Sequence, residues 1–233
     1  MENMRERERW AGSAASLPTD ERSRREAPFW QRLAADLGWE TVVDAGCGAG
    51  FHVRLLRALG VRVHGCDLAL DALLAGERHG VAAGDLLAPP LRAGAADAVL
   101  CLGNTFSLLP SRSAQRQALA SLATLLRPGG TLLLQGEDAA AAVADGPLLR
   151  TRSLADGSVH VRAFERRGAR VRMLAGAAAP GAEAPLHGVW LLPTNAASLA
   201  RLARPLGLRP AALPVKPPGD AVTWWVLLQV SAT

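Results

Sequence analysis

The sequence predicts an α/β chain with a mostly parallel seven-stranded sheet and an antiparallel β insertion after strand five. Three observations carry this. Thr41–Leu59, TVVDAGCGAGFHVRLLRAL, reads as a short buried strand, an acid, a glycine-rich loop and an amphipathic helix. Asp97–Leu102, DAVLCL, is a near-continuous apolar run, as expected of a central parallel strand covered on both faces. Around these stretches, short apolar runs alternate with helical patterns, the rhythm of βαβ units.

The chain has 233 residues and is 49% hydrophobic, which suits one α/β domain over 1–233 and is short for two full cores. No apolar run approaches the ~18 residues of a spanning helix, and MENMRERERW lacks the apolar core of a secretory signal. A cytoplasmic protein without a membrane partner is expected. The net charge of +5 raises the question of nucleic acid. Lys216 is the only lysine among 26 basic residues, and the arginines are scattered rather than gathered in a stripe. That pattern reflects composition, and no nucleic-acid partner is expected. Cys47, Cys66 and Cys101 each fall at the carboxyl end of a predicted strand, without metal-ligand spacing. They read as small apolar packing in a reducing compartment, and no metal is expected. The absence of tyrosine excludes a phenolic base.

In chain order, residues 1–26 are charged and read as a solvated helix or a disordered tail, with Trp10 suggesting that part of the segment packs back on the domain, where it could serve as a cap. Pro28 opens a helix over Phe29–Leu37, stopped by Gly38. Thr41–Val43 form the first strand, Asp44 follows, and Gly46, Gly48 and Gly50 make the loop. Val53, Leu55, Leu56 and Leu59 give the next helix its apolar stripe. Val61–Gly65 is a second strand ending at Cys66-Asp67, and Leu68–Arg78 a second crossover helix. Val81–Ala83 is a short third strand followed by Gly84-Asp85-Leu86. After the 97–102 strand comes Gly103-Asn104-Thr105-Phe106, then a helix over Ser113–Leu126. Arg127–Gly130 turn into a fifth strand, Thr131–Gln135. Ser158–Glu165 and Ala169–Ala175 alternate on either side of Arg167-Gly168, and Leu186–Leu192 adds a third strand, so 145–193 reads as a β insertion. A helix over Ala196–Leu206 and two strands, Leu208–Val215 and Val222–Val230, close the chain.

A strand that enters a helix through closely spaced glycines lets a ligand approach the backbone. The dinucleotide fingerprint G-x-G-x-x-G fails because Phe51 stands at its last position, and no Tyr-x-x-x-Lys pair exists, which disfavours a nicotinamide oxidoreductase. What stands instead is D-x-G-x-G-x-G, Asp44 to Gly50. This resembles the first motif of the class I S-adenosylmethionine-dependent methyltransferases, which have a Rossmann-like fold. The resemblance implies that Asp44, Ala45, Gly46, Cys47, Gly48 and Gly50 wrap the amino-acid end of S-adenosyl-L-methionine. It implies that Asp67, with Leu68 beside it, binds the ribose hydroxyls, and that Asp85 and Leu86 hold the adenine. DAVLCLGNTFSLLP resembles the corresponding segment of glycine N-methyltransferase and related small-molecule N-methyltransferases. From this, Leu102 and Gly103 would line the cofactor pocket and Asn104 would orient the acceptor. The glycine N-methyltransferase pattern has a carboxylate-clamping arginine where this chain has Glu137. The reversed charge favours a neutral or cationic acceptor, and Glu137 joins Asn104 as a candidate catalytic residue.

The chemistry so implied is direct in-line methyl transfer to a small molecule, nitrogen rather than oxygen. It needs positioning more than a base. His52, His160 and His187 read as ordinary surface or core residues. The segment at Asn104 lacks the [DN]-P-P-[YF] of amino-directed DNA methyltransferases, and no Pro-Cys nucleophile is present. RNA or protein methylation, or a cofactor-binding regulator without an acceptor, are the alternatives. A monomer or homodimer is expected.

Overall fold

The computed structural model describes residues 19–153, 157–179, 181–183, 186–219 and 221–230. Helix α1 (Thr19–Leu37) leads into β1 (Thr41–Ala45), α2 (Phe51–Ala58), β2 (Arg62–Asp67), α3 (Leu70–Ala75), β3 (Val81–Ala83) and β4 (Ala96–Cys101). A 3₁₀ turn (Thr105–Leu108) precedes α4 (Arg112–Thr124), β5 (Leu126–Glu137) and the single-turn α5 (Ala139–Ala142). The insertion supplies β6 (Leu148–Ser153), β7 (Val159–Arg167), β8 (Arg170–Ala178) and β9 (His187–Leu191). Helix α6 (Ala196–Ala203), a 3₁₀ turn (Arg204–Leu206), β10 (Leu208–Ala211) and β11 (Thr223–Val230) follow.

The main sheet has seven strands in the order β10-β11-β5-β4-β1-β2-β3, parallel except for β11, which runs antiparallel to both β5 and β10. The order reverses at β1, so the ends of β1 and β4 form the crevice where open α/β sheets bind ligands. Asp97 fixes the register of these two strands at their other end, accepting the backbone N–H groups of Glu40 and Thr41 at 2.8 Å each and pairing with Arg127. Two apolar layers sandwich the sheet. One contains Val99, Cys101, Phe106, Leu119, Leu122 and Leu132, the other Trp30, Leu33, Val42, Val53, Leu56 and Leu100.

Several boundaries differ from the sequence reading. Helix α1 begins at Thr19, with Pro28 inside it rather than at its start. Pro28 is exposed while Phe29 and Trp30 are buried, so the ring's clash with the preceding turn falls on the solvent face and the apolar half keeps the helix whole. Trp30 packs edge-on against Phe29 and His52, and Phe29 against Trp225 of β11. Trp10 lies outside the described residues. Helix α3 is shorter than expected because Gly76 leaves the helical region, with Ala49 against it so closely that any side chain would overlap it. Arg127–Gly130 belong to β5 as a bulge, since Ala96 pairs with Leu126 and Ala98 with Thr131. Strand β10 ends at Ala211, four residues short of Val215.

The insertion is a four-stranded antiparallel sheet, β6-β7-β8-β9, one strand larger than expected. Strand β6 escaped notice because LLRTRS has only one clear apolar-polar alternation and carries two arginines. The sheet seats on α5 through Phe164, Val171, Met173, Val189 and Leu191, which cluster with Ala139 and Val143.

Candidate active site

Three acids sit at the carboxyl ends of three neighbouring strands, because each crossover returns the chain to the same edge. Asp67, at the end of β2, accepts the Gly48 N–H at 2.7 Å through Oδ2 and the Ala69 N–H at 2.8 Å through Oδ1. The second acid therefore holds the glycine loop of the first directly. Asp85, after β3, accepts the Leu87 N–H at 2.9 Å, and Leu86 beside it is buried. Leu68 is exposed.

Asp44 is 1% exposed, and its Oδ2 is buried without a hydrogen-bond partner. Burial pushes its carboxyl up to about 6, with Asp67 adding to the rise while His52 and Arg22 oppose it. Burial likewise raises Asp67 against the pull of its backbone donors. A buried, unsatisfied carboxylate at a glycine loop fits a ligand that brings a cation.

The loop glycines divide by role. At Gly46 (φ 83°) a Cβ would overlap the Thr105 side chain, so glycine lets the loop pack against the turn after β4. At Gly48 (φ 54°) a Cβ would meet nothing within 4 Å, leaving the backbone open toward a ligand. Gly103 (φ 67°), after β4, is open in the same way, and its N–H donates to Gln135 Oε1 at 2.8 Å. Leu102 is buried beside it. Together Asp44, Gly48, Asp67, Asp85 and Gly103 fit S-adenosylmethionine, with an acid for its ammonium, open backbone and further acids for hydroxyl and amino donors.

Cys66 and Cys101 are buried, and Cys47 is partly so. Burial raises all three thiols, Cys66 to about 12, so none is a thiolate nucleophile.

Asn104, after β4, and Glu137, at the end of β5, are both nearly fully buried. Asn104 is the sole non-glycine residue with positive φ among the described residues (69°), tolerated because asparagine accepts the left-handed region. Its Oδ1 accepts the Glu137 N–H at 2.6 Å, and its Nδ2 donates to Glu137 Oε2 at 3.2 Å. This two-point clasp locks the ends of β4 and β5 together. Glu137 Oε1 accepts from Arg150 Nη1 at 2.7 Å, and Arg162 Nη1 stands 3.7 Å from Oε2. The expectation that Glu137 offers its charge to a neutral or cationic acceptor therefore changes. Two guanidiniums from the insertion already face that charge.

Sequence reasoning missed Arg150 and Arg162. The alternation of VHVRAFERR was visible, but nothing local marks which arginine faces inward. Arg22 and Glu26 were also missed. Arg22 lies 3.8 Å over the Phe51 ring and donates to Glu26 at 2.8 Å, while Glu26 stands 3.5 Å from His52. Arg22 and His52 together hold the Glu26 carboxyl down at about 2 despite its burial. This network moors α1 at the start of α2, next to the glycine loop.

Residues 42–130 match the family described as Methyltransferase domain. A ubiquinone biosynthesis O-methyltransferase from Burkholderia thailandensis is 34% identical over 110 residues, 43% of this chain and 46% of that protein. A glycine/sarcosine N-methyltransferase from Halorhodospira halochloris is 32% identical over 125 residues, 49% of this chain and 46% of that protein. The chain thus spans about half the length of the curated relatives it matches. The CcbJ methyltransferase structure from Streptomyces caelestis superposes with a TM-score of 0.73 at 21% identity, covering 94% of this chain and 92% of the other, which shows a shared fold. In the domain matched over residues 42–130, in the β10-β11-β5-β4-β1-β2-β3 sheet and in the acids along one edge, this chain is similar to the class I S-adenosylmethionine-dependent methyltransferases.

Proposed function

We propose that this protein transfers a methyl group from S-adenosylmethionine to a small molecule, at nitrogen rather than oxygen. The observation that carries the reading is the Asp67–Gly48 hydrogen bond, which ties the strand-two acid to the open glycine loop beside the unsatisfied Asp44. When bound, the cofactor supplies a methyl group on a good leaving group, so the protein's task is orientation and exclusion of water. Asp67 and Asp85 fix the nucleoside end and Asp44 the ammonium. Leu102 and Gly103 line the wall between cofactor and acceptor. The Asn104–Glu137 clasp fixes the far edge, so Asn104 acts through the shape it imposes on Gly103 and the 3₁₀ turn.

The preference for nitrogen is supported by the state of the two candidate residues: Asn104 is held in its clasp and Glu137 in ion pairs, and neither is placed to deprotonate an alcohol. A neutral amine needs no such help. The similarity of GNTF to N-methyltransferases, and the relative from Halorhodospira halochloris, support the same choice.

The test is calorimetry with S-adenosylhomocysteine, followed by transfer of labelled methyl to amines and to their hydroxyl counterparts. Binding with turnover of amines is the expected result. Turnover confined to alcohols or phenols would remove the nitrogen assignment, and failure to bind S-adenosylhomocysteine would remove the whole reading.

A further inference from the structure

The insertion sheet brings more cationic charge to the pocket edge than its carboxylates satisfy. Leu148 pairs with Phe164, Arg150 with Arg162 and Arg152 with His160, so these six side chains share one face of β6 and β7. Phe164 is buried against α5, which identifies this face as the inward one. Across β8, small residues stand opposite, Ala175 beside Arg162 and Ala177 beside His160.

Two guanidiniums directly opposite each other on one sheet face repel unless an anion lies near both. Glu137 serves Arg150 at 2.7 Å. Its other oxygen is engaged by Asn104 and stands 3.7 Å from Arg162, beyond hydrogen-bond distance. Arg152 has Glu21 at 3.8 Å, and Arg22 has Glu26 at 2.8 Å. Arg162 reaches Glu137 only at 3.7 Å, after Arg150 has taken that carboxylate at 2.7 Å, and its Nε is buried with no partner. Burial pulls its guanidinium down, and Arg150 and Arg22 nearby add to that, against the partial support of Glu137. A partly exposed guanidinium whose Nε–H is buried and orphaned, beside the small alanines of β8, suits an anion that is not part of the protein.

We propose that the methyl acceptor carries an anionic group, carboxylate or phosphate, and that Arg162 holds it. The inference rests on the methyl-transfer reading and deepens it by naming the acceptor's class. Arg162 is thus a specificity-determining residue on the insertion, separate from the position of Glu137 on β5.

The experiment compares matched amines with and without an acidic group, glycine against glycinamide and phosphoethanolamine against ethanolamine, for wild type and Arg162→Gln. Wild type should favour the acidic member of one pair by at least tenfold in kcat/KM, and which pair distinguishes carboxylate from phosphate. Arg162→Gln should cut that preference at least tenfold through KM, and Arg162→Lys should restore part of it. S-adenosylhomocysteine affinity should stay within twofold in both variants. If no amine of the panel is turned over, thermal shifts of the S-adenosylhomocysteine complex by inorganic phosphate and by acetate decide, with a saturable shift expected in wild type and absent in Arg162→Gln. A wild-type preference for neutral members, a preference that survives Arg162→Gln, or equal anion shifts in both proteins would overturn the proposal. A tenfold loss of S-adenosylhomocysteine affinity in Arg162→Gln would also overturn it, by making Arg162 a cofactor ligand. If Arg162→Gln fails to fold, the wild-type pairs still decide. Wild-type failure to bind S-adenosylhomocysteine would instead strike the methyl-transfer reading itself.

Discussion

The two sides of the proposed site are made by different physics. The proposed cofactor side is assembled from strand ends and backbone: Asp44 and Asp67 lie in the last residues of β1 and β2, Asp85 follows β3, and Gly48 and Gly103 present bare main chain. Its contacts are side chain to backbone, as in Asp67 to Gly48 and Ala69. The proposed acceptor side is assembled from side chains, of which Arg150 and Arg162 arrive only when a second sheet docks. Glu137 comes from β5, Asn104 from the end of β4, Arg150 from β6 and Arg162 from β7. A wall made of backbone tolerates change in the rest of the chain, whereas a wall made of paired charges is redefined by one substitution.

That contrast can be broken at either side. The largest effect is expected for Asp67→Ala, which frees the loop amide and removes a ribose partner. Affinity for S-adenosylhomocysteine should fall about 100-fold, or about 2.7 kcal/mol, by calorimetry. Asp44→Asn should weaken the same binding about 30-fold by removing the charge facing the ammonium.

Asp44 also has a stability signature. Its folded-state carboxyl titrates near 6, above the usual value of 3.8. A raised carboxyl in the folded state means that its ionisation opposes folding, so this penalty is present above about pH 6 and relieved as pH falls toward 4. Asp44→Asn should therefore stabilise the ligand-free protein at pH 7.5 by about 1–3 kcal/mol in urea unfolding, with little gain at pH 4. S-adenosylhomocysteine binding by wild type should weaken as pH drops through 6. A pH-independent affinity between 5 and 8 would show that Asp44 does not meet the ammonium.

On the acceptor side, Glu137→Ala leaves Arg150, Arg162 and the Asn104 amide without their shared partner. A loss of about 2 kcal/mol in unfolding free energy is expected, with S-adenosylhomocysteine affinity changed less than threefold. If cofactor binding fell as far as stability, the two walls would not be separable. The smallest effect belongs to Arg152→Gln, whose pair with Glu21 is long and solvent-exposed. Its stability cost should stay below about 0.5 kcal/mol.

The glycine loop and the acids at the strand ends were legible in the chain because their determinants are local. D-x-G-x-G-x-G reads directly as strand, loop and helix, and the glycines are required by φ angles that other residues avoid. Parallel strands buried on both faces announce themselves as apolar runs, which is why β1 and β4 were found almost to the residue. The start of α1 was not legible, because a charged first half with an internal proline resembles a tail until Arg22 and Glu26 meet His52 and Phe51. Strand β6 was missed because an arginine-rich strand is recognisable only by what its inward face touches.

Glu137 shows the limit most plainly. Its place at the end of β5 can be counted from Gly129-Gly130, and the sequence alone leaves its charge free. Only the docking of the insertion sheet brings Arg150 to 2.7 Å and Arg162 to 3.7 Å, turning a lone acid into the centre of a cationic edge. By itself the sequence determined the order of the elements, the glycine loop and the acids at the strand ends, since backbone conformation and burial on a parallel sheet are set within a few residues. The tertiary structure alone decided the charge around Glu137, because local charge is a sum over side chains that are far apart in the chain and close only after folding.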